Sequence, residues 1–88
     1  MIQLTFADDS SVTFNDAKEA LRYLQNEGPS NRSKAIALSH PGRKTLATLI
    51  FNAQYKIWSL KVSNMLICET ACTLTAYEQF YKKIRCFK

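Results

Sequence analysis

His40, the cysteines Cys68, Cys72 and Cys86, and the adjacent pair Asp8-Asp9 are the side chains in this 88-residue chain whose types could do chemistry. A Cys–His nucleophile would have to be assembled from the single histidine and one of the three cysteines, and no local pattern joins them. His40 stands directly before Pro41-Gly42, where a turn accounts for it. Cys68 and Cys72 could place two thiolates on one side of an element. A structural zinc site takes four ligands, usually from paired short spacings, and here Cys86 and His40 would have to converge from far away. Asp8 and Asp9 would diverge in a strand, so a tight turn explains them better than a general acid/base pair. No phosphate-binding glycine loop is present. The expectation is therefore no catalytic constellation, no metal and no cofactor.

Charge carries the functional signal. Residues 1–28 hold five acids and two bases, whereas residues 29–88 hold ten bases and two acids, and the whole chain has a net charge of +5. A basic surplus confined to part of a small chain points to nucleic acid or to an acidic protein surface as partner. Several members of the split have local structural reasons. Asp16 and Glu19 suit the first turn of a helix, and Lys82, Lys83 and Arg85 suit the last turn of another. The bases without such a reason are Arg32, Lys34, Arg43 and Lys44. Together with Lys82, Lys83, Arg85 and Lys88 they form the candidate partner-binding set. Basic grooves with aromatic platforms hold single-stranded nucleic acid. The stretches from Tyr55 to Lys61 and from Tyr81 to Lys88 interleave aromatics with bases, although Trp58, Tyr81 and Ile84 would serve equally as core. No RNP, KH or helix-turn-helix signature is present.

The elements that must position these groups read as α+β. Ile2, Leu4 and Phe6 alternate with polar residues, Asp8 to Ser11 supply a turn, and Val12 and Phe14 resume the alternation, which is a β-hairpin. Asp16 and Glu19 make a variant capping box before the helical stripe Ala17, Ala20, Leu21 and Leu24, and Gly28-Pro29 stops that helix. His40-Pro41-Gly42-Arg43 fits a type II turn, and Ser63-Asn64 a two-residue turn. Residues 43–54 fit both a strand and a helix; the density of β-branched and aromatic residues favours strands, with another from Tyr55 to Val62 and one from Met65 to Thr70. Thr75-x-x-Glu78 reads as a capping box opening a final helix of about 11 residues, with Tyr77, Phe80, Tyr81 and Ile84 as its apolar stripe. The expected whole is a single domain over residues 1–88: an N-terminal β-hairpin, a helix, an antiparallel meander of three to four strands and a C-terminal helix, with both helices on one face of the sheet.

The longest uncharged run, Thr45 to Tyr55, is far short of the about 20 residues that cross a bilayer as a helix. Three cysteines, an odd number, suit reduced thiols in a cytoplasmic setting. These observations lead to a small, soluble, non-enzymatic binding module with no membrane partner, a regulator or inhibitor acting on nucleic acid or on a complex that handles it. Inhibitors carried by phages and other mobile elements are a common class among small basic chains of this kind. Two alternatives fit the same composition. One is a metal-independent ribonuclease drawing on His40, Arg43, Lys44, Tyr55, Tyr81 and Arg85. The other is a protein-only inhibitor of an acidic partner.

Overall fold

A computed structural model of the chain describes residues 1–27 and 34–86. The strands β1 (Ile2–Phe6) and β2 (Ser11–Phe14) form the expected hairpin, with Ile2 opposite Phe14 and Leu4 opposite Val12. The Asp8 carboxylate accepts from both the N–H and the hydroxyl of Ser10, and Asp9 takes a φ of 66°. Aspartate tolerates that left-handed backbone because its short side chain bonds locally.

Helix α1 (Ala17–Glu27) starts as its sequence implies. Asp16 Oδ1 accepts from the Glu19 N–H at 2.9 Å, and Glu19 Oε2 accepts from the Asn15 N–H at 3.1 Å, one residue further back than in the standard box. Ala20 and Leu24 are buried, and Ala17 and Leu21 pack beside them. The stop at Gly28-Pro29 lies outside the described residues, as does Arg32.

The middle of the chain is a four-strand meander of β3 (Ala35–Ser39), β4 (Ala47–Asn52), β5 (Ile57–Val62) and β6 (Met65–Thr70). Residues 47–52 are a strand: Ala47 and Leu49 are buried while Ile50, which a helix would place beside Leu49 on one stripe, is 44% exposed. The Arg43 N–H donates to the His40 carbonyl at 3.0 Å and Gly42 has φ 74°, as a type II turn requires. Ser63 and Asn64 have φ of 51° and 66°, the pattern of the type I′ turn whose twist suits a hairpin. The strand expected from Tyr55 begins two residues later. Asn52 Oδ1 accepts from the Gln54 and Tyr55 N–H groups and holds a turn there, with Lys56 at φ 54°.

Helix α2 (Thr73–Arg85) corrects the expected start at Thr75. Its N-cap is Cys72, whose carbonyl accepts from the Ala76 N–H at 3.0 Å. Two contacts set that start. Thr70 Oγ1 accepts from the Cys72 N–H at 3.1 Å, and the Trp58 Nε1–H donates to Thr73 Oγ1 at 3.1 Å. Thr75 and Glu78 thus fall inside the helix rather than at its cap.

The six strands join in the order β2-β1-β3-β4-β5-β6, every neighbouring pair antiparallel. Both helices pack side by side on one face, α1 over β1 and β2, and α2 over β4, β5 and β6. Between helices and sheet lie Leu4, Ile36, Leu38, Leu49, Leu60, Phe80 and Ile84, each fully buried. Burial of this single layer supplies the main driving force for folding, at about 25 cal/mol per Å² of apolar surface.

Candidate functional site

Strand direction decides where the charged residues go. The β3–β4 loop, the β5–β6 turn and the start of β1 lie at one end of the sheet, which we call the Pro41 end. The register puts Leu38 opposite Ala47, Ala47 opposite Val62 and Val62 opposite Met65. The β1–β2 turn, the β4–β5 turn, the start of β3 and the end of β6 lie at the other, the Tyr55 end. Helix α2 is pinned by Thr73 to Trp58 at the Tyr55 end. Its 13 residues span about 20 Å, the length of a six-residue strand, so it returns its last turn to the Pro41 end.

The Pro41 end therefore collects bases from two distant parts of the chain. Arg43 and Lys44 come from the β3–β4 loop, and Lys82, Lys83 and Arg85 from the last turn of α2, all of them exposed. Lys61, near the end of β5, and Lys18, exposed in the first turn of α1, add a sixth and a seventh. The acids at this end are Asp16 and Glu19, both engaged at the start of α1 and over β1 and β2, and Glu78, which shares a depression with Lys82 and Arg85 on α2. The Tyr55 end holds Asp8, Asp9, Glu27 and Glu69 beside Lys34 and Lys56. A charge split read along the chain becomes a charge split in space.

The candidate set is thus divided. Arg43, Lys44, Lys82, Lys83 and Arg85 come together, whereas Lys34 sits at the opposite end, its Nζ 5.8 Å from the centroid of the Phe51 ring. That cation–π contact is a structural use for Lys34. Arg32 and Lys88 lie outside the described residues. Lys61 was not in the set; only the strand order brings it to this end, although its place near the close of the β5 run in the sequence hints at it.

The aromatics interleaved with these bases belong mostly to the core. Trp58 is buried, with its ring 5.0 Å from Phe51 and 5.4 Å from Tyr77, and Tyr77 lies 6.0 Å from Tyr81. Trp58 and Tyr77 have no face to offer a base. Burial pushes the Tyr81 phenol above its ordinary pKa, which keeps it neutral through the physiological range. Tyr81, Lys82, Arg85 and Glu78 line one shallow depression on α2, and Met1, His40, Pro41 and Arg43 line another at the Pro41 end.

The residues named for a ribonuclease are not gathered. The Met1 carbonyl oxygen lies 2.8 Å from His40 Nδ1, which places a proton on that nitrogen. Tyr55 stands in the β4–β5 turn at the far end of the sheet from His40 and Arg43. Among the described residues, no three of histidine, cysteine, aspartate and glutamate form a cluster that could hold a metal ion. Cys72 is exposed at the start of α2, and no hydrogen bond of capping geometry joins its thiol to the helix. The Thr75 hydroxyl and then the N–H groups of Thr75 and Leu74 nevertheless favour the thiolate and lower its pKa, against smaller opposing effects of desolvation and, last, of Glu78. No described helix is long and apolar enough to cross a membrane.

No family model matches the chain, and neither a curated protein nor a solved structure is matched by it.

Proposed function

We propose that the protein is a non-enzymatic binding module that docks its Pro41 end on nucleic acid and acts by occupancy, as a regulator or inhibitor of machinery that uses the same surface. The observation that supports this reading is the convergence of Arg43 and Lys44 with Lys82, Lys83 and Arg85 at one end of a small fold. Lysine and arginine side chains that replace condensed counterions on a phosphate backbone gain affinity without reading sequence, and arginine adds bidentate phosphate contacts. The aromatic core leaves little stacking surface, so backbone contacts dominate and sequence preference is small.

The test is a titration with single- and double-stranded RNA and DNA at several salt concentrations. Affinity should fall steeply with salt, and replacing one phosphate-contacting base should flatten the logarithmic slope by about one. Paired reversals at Arg43 and Lys44, and separately at Lys82 and Lys83, should each weaken binding, while reversal of Lys34 should leave it nearly unchanged. Absence of binding at low salt overturns the reading. A pull-down then decides what replaces it: one acidic protein partner retained after nuclease treatment identifies a protein-only inhibitor.

A further inference from the structure

The face of the sheet away from the helices has a composition unlike that of an ordinary solvent face. The register places two rows of side chains across it. One row runs Thr5, Ala37, Thr48, Lys61, Leu66, and the other runs Ala35, Ile50, Ser59, Glu69. Along both rows the central positions are uncharged, small except for Ile50, and the only charges are Lys61 and Glu69. A solvated sheet face normally alternates toward polar and charged residues, and a flat uncharged one invites association. Ile50, Leu66 and Ile67 are 44%, 48% and 45% exposed. Ile67 is the extra residue of β6 where the β5–β6 register shifts between Leu60 and Lys61. Leu66 and Ile67 follow Met65, itself 70% exposed, so β6 opens with three consecutive exposed apolar side chains. Among the described residues nothing covers this face.

We infer that a second copy of the chain covers it, in a two-fold sandwich of sheets. The charges argue for this occupant. Lys61 lies in one row and Glu69 in the other, on adjacent strands. A two-fold axis running across the strands between the rows lays each row over the other row of the second copy. Lys61 then lies over the second copy's Ser59, one strand from its Glu69, so two lysine–glutamate pairs form diagonally about the axis within reach of these long side chains, and Ile50 lies over Thr48. A patch with one charge of each sign, one on each side of the axis near the β6 edge, is complementary to itself, as an isologous interface requires. Each strand runs against its own copy, so the basic Pro41 end of one chain lies above the acidic Tyr55 end of the other, and the two dipoles oppose. The area is adequate for a modest dimer. Six strands about 4.8 Å apart and about 18 Å long offer on the order of 400 Å² a side, so a pair buries on the order of 1,000 Å² once side chains interdigitate. That stands near the lower limit for a specific interface. The inference does not rest on nucleic-acid binding; it adds that the two basic ends of a dimer point in opposite directions.

Sedimentation equilibrium on the full chain, from about 1 µM to about 1 mM, tests it, with dissociation expected in the micromolar range. Ile50→Lys should weaken the dimer at least tenfold, as should Lys61→Glu or Glu69→Lys alone. The double reversal, Lys61→Glu with Glu69→Lys, should restore it. Circular dichroism checks that each variant is folded, and the charge reversals, both at exposed sites, stand in if Ile50→Lys does not fold. A monomer throughout the range overturns the inference and leaves the face to a different protein. A dimer that ignores Ile50→Lys and both single reversals also overturns it, because pairing of β6 edges would be indifferent to a side chain on β4. So does a double reversal that stays monomeric while folded.

Discussion

The two faces of the sheet are built from the same strands and differ in almost everything else. On the helix side Leu4, Ile36, Leu38, Leu49 and Leu60 are no more than 1% exposed. Their chain neighbours Thr5, Ala37, Thr48 and Ser59 turn the other way and are only half covered. One residue along the backbone separates a position that holds the fold from a position that hardly affects it, because side chains alternate with period two. The lesson is a division of labour. Stability is concentrated under α1 and α2, so the opposite face is left to be shaped by what it touches. The largest test of that division uses adjacent residues. Leu4, between Val12 and Leu38, should cost about 2–5 kcal/mol as Leu4→Ala, from lost burial and the cavity left behind. Thr5→Ala should stay within about 0.5 kcal/mol. Urea unfolding of both variants measures the gap; a difference below about 1 kcal/mol would break the comparison.

The helices make one face different, and they are held at their starts in different ways. Asp16 caps α1 through its own carboxylate, so Asp16→Ala should cost about 1 kcal/mol in thermal or urea unfolding. Thr75 is not the cap of α2, so Thr75→Ala should cost no more than a few tenths of a kcal/mol. Equal losses for the two variants would restore the capping box at Thr75 and move the start of the cover helix.

These two starts also mark what a sequence can disclose. Asp16 and Glu19 bond groups within four residues, as do the Asp8 turn and the turn at Gly42, so local pattern was enough. Composition and turn signals favoured strands for β3 to β6, although residues 43–54 fitted a helix as well, and the burial of Ala47 and Leu49 beside exposed Ile50 decides for the strand. The start of α2 depends on Trp58, fifteen residues away, whose indole N–H fixes Thr73; Thr75-x-x-Glu78 satisfied a local rule that a tertiary contact overrode. The candidate site divides in the same way. That Arg43, Lys44 and the last turn of α2 are exposed and basic was legible. That they share an end with Lys61, while Lys34 is sent to the other end, depends on strand order and on the return of α2 along the sheet. Neither leaves a periodic trace in the chain. The rows of the outer face were equally hidden, since each strand contributes a single member to a row.

The smallest expected effect reads the seating of α2 without perturbing it. The Cys72 thiolate is favoured first by the Thr75 hydroxyl, then by the N–H groups of Thr75 and Leu74, and these are in place only while the helix is formed. The folded pKa lies below the unfolded one, so the associated stability is present above the unfolded pKa and is lost as pH falls through the folded value. Cys72 is fully exposed, and solvent screening makes the contribution to stability slight. Reactivity is the better readout. Below both pKa values, a drop of one unit raises the thiolate fraction tenfold while intrinsic nucleophilicity falls by about threefold, so the folded thiol should alkylate faster near neutral pH than the same thiol in urea. Thr75→Ala should slow that reaction by removing the largest cause, and Glu78→Gln should quicken it by removing the opposing charge. If alkylation of Cys72 is no faster in the folded chain and is indifferent to Thr75, then the first turn of α2 is not held over the sheet as Trp58 and Thr73 place it, and the cover that distinguishes one face from the other is open at that end.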